Sequence, residues 1–141
     1  MNYWLVKSEP SAWSWDMHWN KPGRVEAWNG VRNHQAAANL KAMRQGDRAF
    51  FYHSVTGKQI VGVLEVVKEA YPDPSDDTGR AKGGFVMVDF KAIEPLKRPV
   101  TLAEIKADAK LAEMALVKQS RLSVMPVTAA QWRRVMAMAE E

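Results

Sequence analysis

Seven consecutive residues, W-N-G-V-R-N-H at positions 28–34, combine side chains that together could bind a flat polar ring. Trp28 offers an aromatic plane, and stacking a base on such a plane contributes about 1–3 kcal/mol. Gly30 frees the backbone, and Arg32 and Asn33 precede a predicted helix whose N-terminal N–H groups favour an anion. We therefore predict that Trp28 borders a cleft with an exposed ring. The alternative is that Arg32 pairs with a carboxylate and Asn33 only caps the helix.

A second polar group, Lys7-Ser8-Glu9, ends the first predicted strand, so its side chains are expected to leave the sheet into a cleft. Lys7 and Glu9 could form an ion pair of little energetic consequence. They could also act as an acid–base pair if burial shifted the pKa of either group. The sequence leaves both interpretations open.

Polar residues also interrupt an otherwise apolar strand at Tyr52-His53-Ser54. Alternation along a strand sends Tyr52 and Ser54 to one face of the sheet and His53 to the other. A buried polar group needs a hydrogen-bond partner, and either a ligand or an internal group could supply it.

Several kinds of chemistry are disfavoured by what the sequence lacks. The histidines at positions 18, 34 and 53 are scattered without the spacing of metal ligands, and there is no cysteine. No serine lies in a G-x-S-x-G turn, and the glycines form neither a phosphate-binding loop nor a dinucleotide fingerprint. We therefore expect no metal ion and no cofactor.

Length and composition predict one domain over residues 1–141, because a chain of this size with 47% apolar residues can bury a core unaided. The absence of cysteine excludes disulfides and is compatible with a reducing compartment. The sequence shows neither a signal peptide nor a window of membrane-spanning length. We therefore expect a soluble intracellular protein with no membrane partner.

The charge balance is mildly basic, since 20 Lys and Arg against 16 Asp and Glu leave a net charge of +4. This charge permits a nucleic-acid partner that is bound through a small footprint with modest salt dependence. A solvated surface of mixed charge would explain the same balance.

Apolar runs separated by turn residues predict strands interspersed with short helices, without a regular β-α-β alternation. This pattern indicates an α+β fold built on a small, closed or curled sheet. The predicted strands cover residues 3–6, 49–55, 60–67 and 85–93, with a hairpin at 56–58 and a polar loop at 72–84. Helices are predicted over residues 34–45 and after the capping boxes Thr101/Glu104 and Thr128/Gln131.

Five sequence blocks together resemble the EVE domain family over essentially the whole chain. They are Y-W-L-V-K-S-E-P from Tyr3, W-N-G-V-R-N-H-Q-A from Trp28, G-D-R-A-F-F-Y-H-S from Gly46, G-V-L-E-V-V-K-E-A-Y-P-D-P from Gly62 and Q-S-R-L-S-V-M-P-V from Gln119. The resemblance implies a PUA-like fold, which is a small mixed β-barrel flanked by short helices. It also implies kinship with YTH domains, which read methylated adenine in RNA, and a role in reading modified bases, notably modified cytosine in DNA.

The resemblance further implies a ligand pocket between the end of the first strand, the W-N-G-V-R-N segment and the F-Y-H-S strand. Trp28 would supply the stacking plane, Arg32 and Asn33 would anchor the helix start, and Arg121 would contact a phosphate. The implied ligand-binding residues are Lys7, Ser8, Glu9, Trp28, Asn29, Gly30, Val31, Arg32, Asn33, Tyr52, His53, Ser54, Ser120, Arg121, Leu122 and Ser123.

This sequence departs from the family pattern in two places. The loop after Pro74 is shorter than in many relatives, and Phe85 stands where a tryptophan is common. A complete three-walled aromatic cage would therefore need a contribution from Trp13, Trp15 or Phe85.

The resulting hypothesis is a nucleic-acid-binding module without enzymatic activity that inserts one extruded base, DNA or RNA, into an aromatic and polar pocket. Extruding a base from a duplex costs a few kcal/mol. Modified cytosine in DNA is the favoured ligand. The alternative is a small hydrolase of modified nucleosides, similar to the ASCH group, that uses Lys7 and Glu9, and a protein-interaction domain is a third possibility. We expect a monomer in the cytoplasm, or in the nucleus of a eukaryote.

Overall fold

One mixed sheet organises the protein in this computed structural model, which describes residues 1–76 and 84–141. Within those residues the sheet has six strands in the order β2-β5-β4-β3-β1-β6. The strands are β1 (Tyr3–Ser8), β2 (Val25–Ala27), β3 (Arg48–His53), β4 (Gln59–Pro72), β5 (Val86–Thr101) and β6 (Val124–Val127). The helices are α1 (Trp15–Asn20), α2 (His34–Ala42), α3 (Leu102–Ala107), α4 (Ala115–Lys118) and α5 (Ala129–Ala139), with 3₁₀ turns at Pro22–Arg24 and Ala109–Leu111. The predicted α+β class is confirmed.

Strand β1, which lies between β3 and β6, brings the predicted polar segments to one end of the sheet. It runs parallel to β3, with Lys7 opposite Tyr52 and Ser8 opposite His53, and antiparallel to β6. Because parallel strands end at the same edge, the end of β1 lies beside the end of β3. The sequence segments that carry Lys7 and Tyr52 are therefore neighbours.

Tryptophan side chains pack against both faces of the sheet. Trp132 of α5 stacks on Phe50, with ring centroids 3.8 Å apart, and on Tyr3 at 4.6 Å. On the other side, Trp15 packs directly on the backbone of Gly62, where an added Cβ would meet the indole ring at 2.5 Å. Gly62 is thus required for α1 to lie against the sheet.

A buried carboxylate ties the N-terminus to the turn that precedes β3. Asp47 accepts hydrogen bonds from the Trp4 indole, the Asn2 backbone N–H and the Arg44 backbone N–H, each at 3.0 Å. Burial alone would raise the pKa of Asp47, but these hydrogen bonds outweigh it and lower the pKa below its usual value. This clamp holds the start of β1 in register with β3.

The predicted element types hold, whereas several boundaries differ. The hairpin between β3 and β4 and both capping boxes are confirmed. The helix predicted over residues 34–45 ends at Ala42, because Met43 has extended backbone angles and its N–H bonds to the Leu40 carbonyl. β4 and β5 extend well past their predicted ends. Most of the predicted polar loop lies at residues 77–83, outside the described residues.

In the β3–β4 hairpin, Val55 adopts a left-handed backbone conformation that is unfavourable for a β-branched residue. Val55 has φ of +66° and is 65% exposed, so its branched side chain is strained without compensating burial. We expect Val55→Asn to stabilise the protein by about 1 kcal/mol, because asparagine tolerates the left-handed region better. Urea unfolding measures the change. Thr56→Asn, beside it and free of this strain, is the control; equal gains from both variants would rule out relief of strain as the cause.

Candidate functional site

A cavity of about 470 Å³ opens beside the end of β1 and the loop after β2. Its volume is within the range of small-molecule binding sites. It is lined by Lys7, Ser8, Ala12, Trp13, Glu26, Ala27, Trp28, Asn29, Gly30, Val31, Arg32 and Ser123. The structure therefore brings together eight of the predicted site residues, from three separate segments of the chain.

One buried carboxylate shapes the loop at residues 28–32. Gly30 has φ of +78°, a conformation that favours glycine, and its N–H donates to Asp73 Oδ2 at 2.8 Å. The same oxygen accepts from Arg32 at 3.2 Å, while Asp73 Oδ1 accepts from the Ser75 N–H at 2.8 Å and hydroxyl at 2.6 Å. The Asp73 side chain has no exposed surface. Asp73 thus positions the cavity loop, although sequence reasoning did not identify it.

The Asp73 carboxyl is held in its charged form. Burial alone would raise its pKa, but the hydrogen bonds from Ser75, Gly30 and Arg32 outweigh this effect and lower the pKa below its usual value. The loop geometry is therefore secured by a charged group over the neutral pH range.

Arg32 and Asn33 have the structural roles that the sequence left as the alternative. Arg32 pairs with Asp73 and donates to the Ser75 hydroxyl at 2.9 Å, yet 37% of its side chain remains exposed at the cavity. Asn33 caps α2, since its Oδ1 accepts from the Ala36 N–H at 2.9 Å. The predicted helix cap is confirmed.

The expectation of an exposed Trp28 ring is wrong. Trp28 is only 7% exposed, because its ring packs edge-on against Phe51 at 5.4 Å and Phe90 at 5.7 Å. It nevertheless lines the cavity, so its remaining accessible surface belongs to the site. Trp28 is both a core residue and a wall of the cavity, which means that its removal would damage the fold.

Trp13 is the second indole at the cavity. Of the three aromatics that could complete a cage, Trp13 alone lines this space. Trp15 is 5% exposed and belongs to the core. Phe85 stacks on His34 at 5.1 Å and lies 5.2 Å from the Arg32 guanidinium. The aromatic part of the site therefore consists of two indoles.

His18 lies directly behind the Trp13 wall. It has no exposed surface, its Nδ1 is 3.2 Å from the Trp13 indole nitrogen, and its Nε2 is 2.9 Å from the Phe90 carbonyl oxygen. An indole N–H only donates, so Nδ1 is the acceptor and Nε2 carries the proton. Burial is the main reason that the pKa of His18 is lowered. The geometry thus selects the neutral ring.

Two charged side chains add donors and acceptors to the cavity. The Lys7 ammonium donates to the Ser120 carbonyl at 2.9 Å, and burial lowers its pKa. Glu26 accepts from the Lys21 ammonium at 2.8 Å and from the Ala27 N–H at 3.3 Å, both through Oε1. Within the described residues Glu26 Oε2 makes no hydrogen bond. Glu26 was missed because a single carboxylate in a short strand carries no distinctive spacing.

The predicted residues Tyr52, His53 and Ser54, at the end of β3 and directly after it, do not line the cavity but lie next to residues that do. Tyr52 is buried beneath the Lys7 ammonium, which lies 5.7 Å from its ring centroid. His53 Nε2 accepts from the Trp15 N–H at 3.1 Å, and the Ser54 N–H donates to the Ser8 carbonyl at 2.9 Å. A register shift between Phe51 and Tyr52 accompanies this arrangement. The His53 side chain thus uses an internal partner, which was one of the two possibilities left by the sequence.

The remaining predicted residues lie around the cavity. Glu9 is exposed, and it makes no ion pair with Lys7 in the described part of the chain. A neighbouring groove of about 300 Å³ is lined by Asn33, Gln35, Gln119, Ser120, Arg121 and Leu122. Ser120 connects this groove to the cavity through its hydrogen bond with Lys7.

Residues 1–76 and 84–141 contain neither a metal-binding cluster nor a helix that could span a membrane. No group of three or more His, Asp or Glu side chains is arranged to hold a metal ion. No helix in these ranges has the length and apolar character needed to cross a membrane.

Comparison with known proteins identifies the class to which this fold and site belong. The sequence model of the EVE domain matches residues 2–138. Thymocyte nuclear protein 1 of Rattus norvegicus is 35% identical to this chain in an alignment 169 positions long. The alignment covers 99% of this chain and 74% of the rat protein. The chain therefore belongs to the EVE domain family.

Solved structures show the same architecture. The NMR structure of Rpa0253 from Rhodopseudomonas palustris is 58% identical, with a TM-score of 0.91 over 99% of this chain and 94% of that one. Human THYN1 in complex with DNA containing 5-methylcytosine is 32% identical, with a TM-score of 0.92 over 100% of this chain and 99% of that one. The PUA-like fold implied by the family is confirmed.

A structure of an ASCH protein from Zymomonas mobilis is a more distant neighbour. It is 12% identical, with a TM-score of 0.60 over 97% of this chain and 95% of that one. At this identity the similarity concerns the fold alone.

Proposed function

We propose that this protein binds nucleic acid as a non-enzymatic reader and accommodates one base, with 5-methylcytosine in DNA favoured, in the Trp13–Trp28 cavity. The cavity itself carries the proposal, because it joins two indoles to a lysine donor and to a Glu26 oxygen that has no hydrogen bond within the described residues. The human relative whose complex contains 5-methylcytosine DNA supports the same ligand. The protein would act as a monomer.

The polar groups of the cavity match the edge of a cytosine. Cytosine presents an amino donor and a carbonyl acceptor. Glu26 Oε2, which makes no hydrogen bond in residues 1–76 and 84–141, can accept from the amino group. The Lys7 ammonium retains donors beyond the one given to Ser120. A carboxylate acceptor also disfavours thymine, which offers a carbonyl where cytosine has its amino group.

The methyl group contributes less than the stacking. Burying one methyl is worth about 0.8 kcal/mol, whereas stacking on an aromatic side chain is worth about 1–3 kcal/mol. We therefore expect a modest preference for 5-methylcytosine over cytosine. Since extrusion costs a few kcal/mol in a duplex, single-stranded or mismatched sites should bind more tightly.

Base reading and strand positioning should depend on different residues. Glu26→Ala should weaken binding to a cytosine or 5-methylcytosine oligonucleotide by about 1–3 kcal/mol and reduce discrimination against thymine. Arg121→Ala should weaken the binding of all oligonucleotides alike. It should also lower, by about one, the slope of the logarithm of the binding constant against the logarithm of the salt concentration. Fluorescence anisotropy at several salt concentrations measures both effects. A loss of base preference in Arg121→Ala, with none in Glu26→Ala, would reverse these roles.

A binding screen tests the proposed function. Oligonucleotides that each carry one modified base are compared with matched unmodified strands, and the strands are recovered for mass spectrometry. We expect measurable binding, tightest for 5-methylcytosine, and recovery of every base unchanged. Absence of binding to all strands would refute the proposal.

A separate incubation tests the hydrolase alternative. Acylated and alkylated nucleosides are incubated with the protein and with the variants Lys7→Ala and Glu9→Ala. Turnover that disappears in both variants would establish the hydrolase. Glu9 is exposed and, within the described residues, makes no ion pair with Lys7. This argues against the hydrolase, because a catalytic acid–base pair requires the two groups to reach the same substrate.

A further inference from the structure

We propose that His18 positions the Trp13 indole as a wall of the cavity only while its ring is neutral, so that protonation of His18 opens the cavity. The effect on base binding rests on the proposed function, whereas the movement of Trp13 does not. The ligand concerned is the same base, and His18 acts on it through Trp13 without touching it.

The contact with Trp13 disfavours a second proton on His18. The Trp13 indole N–H donates to Nδ1 at 3.2 Å, and Nε2 lies 2.9 Å from the Phe90 carbonyl oxygen, so both ring nitrogens are already engaged. A proton on Nδ1 would place two N–H groups against each other. Because Phe90 and His18 lie in the core, whereas Trp13 is only half-buried, Trp13 is the partner that can move.

Trp13 is otherwise anchored through its backbone. Its N–H donates to the Glu9 carbonyl at 2.9 Å, and its carbonyl accepts from the Ser8 hydroxyl at 2.6 Å. Rotation of the indole therefore does not require the segment to detach from β1. The loss of one hydrogen bond would displace the cavity wall while the fold is retained.

Burial and neighbouring groups shift the pKa of His18 in opposite directions. Burial, the largest effect, lowers the pKa of His18, while the Phe90 carbonyl, the Glu26 carboxylate and the Arg24 carbonyl favour the charged ring and Lys21 opposes it. The other histidine packed on Phe51 is His53, whose pKa is also lowered by burial and raised in part by Asp16. The pH response of His18 must therefore be separated from that of His53.

The direction of the pH effect follows from the lowered pKa of His18. The neutral ring is stabilised in the folded protein, so its contribution is present above the unfolded-state pKa of about 6.5. It is lost as the pH falls through the folded-state pKa. The cavity should therefore be intact at neutral pH and open in mild acid.

Nuclear magnetic resonance tests the movement of Trp13 in the free protein. We expect the Trp13 indole N–H resonance to titrate with the same midpoint as the His18 ring. In Trp13→Phe the midpoint of His18 should rise, because the neutral ring loses its hydrogen-bond donor. A Trp13 resonance that stays constant while His18 titrates would overturn the inference.

Binding of a single-stranded oligonucleotide with one 5-methylcytosine tests the consequence. Wild-type affinity should fall about tenfold for each pH unit below the His18 pKa. This loss of affinity at low pH should be largely absent in Trp13→Phe, which keeps an aromatic ring but has no indole N–H. It should also be largely absent in His18→Asn, which keeps a hydrogen-bond acceptor that does not titrate. His53 is unchanged in both variants. An unchanged pH profile in Trp13→Phe would overturn the inference. Absence of binding at neutral pH would instead refute the proposed function and leave the resonance titration to decide.

Discussion

Asp73→Ala is expected to destabilise the protein by about 3 kcal/mol, because it removes a fully buried carboxylate that accepts from Gly30, Arg32 and Ser75. The Gly30 N–H would lose its partner, and the loop at residues 28–32 would lose the group that fixes it. Urea unfolding at neutral pH measures this change in the free energy of unfolding. Base binding should weaken as well, because the loop lines the cavity.

The pH dependence of stability tests the same carboxylate. The folded-state pKa of Asp73 is lowered, so its contribution is present above the unfolded-state value of about 3.9 and is lost as the pH falls through the folded value. The difference between wild type and Asp73→Ala should therefore shrink in acid. Glu94→Ala, at an exposed position of β5, is the control and should change stability by less than about 0.5 kcal/mol. Equal losses in the two variants would contradict the role of Asp73.

Trp13→Ala is expected to weaken binding of a 5-methylcytosine oligonucleotide by about 1–3 kcal/mol while leaving the fold intact. Trp13 is half-buried at the cavity, so its removal costs less core packing than removal of Trp28. Isothermal titration calorimetry gives the affinity, and circular dichroism checks the fold.

Another tryptophan provides the matched control for Trp13. Trp19 is also half-buried and stacks on Trp15 at 5.7 Å, yet it lies outside the cavity. Trp19→Ala should therefore leave the affinity nearly unchanged. Equal losses of affinity in Trp13→Ala and Trp19→Ala would place the binding surface elsewhere.

The sequence predicted the starts of helices well, because the residues that cap a helix are close together in the sequence. The capping residues Asn33, Thr101 and Thr128 each start the helix that the sequence indicated, because a cap depends on residues only three positions apart. The ends of β4 and β5 were less predictable. Their extensions are stabilised by pairing with each other, including Tyr71 with Met87 across the sheet, and such long-range pairing leaves little local signal.

The residues of the candidate site also differ in how far the sequence could predict them. The W-N-G-V-R-N segment and Lys7 were visible as polar or aromatic residues at the ends of predicted elements, and the structure brings them to one cavity. Asp73 and His18 act through contacts with distant parts of the chain, with Gly30 and Phe90 respectively. Glu26 makes its contacts locally, with Lys21 and Ala27, but a single carboxylate at that spacing has no distinctive motif. The exposure of Trp28 was misjudged because its neighbours Phe51 and Phe90 come from other strands.

The most direct test asks whether a base enters the space between the two indoles. An oligonucleotide whose single 5-methylcytosine carries a ¹³C-labelled methyl group is bound to the protein and followed by nuclear magnetic resonance. Ring currents of Trp13 and Trp28 should shift the methyl resonance, and nuclear Overhauser effects should connect it to protons of one or both indole rings. A methyl group that stays unshifted and shows no contact with either indole, in a fully bound complex, would contradict the cavity as the base-binding site.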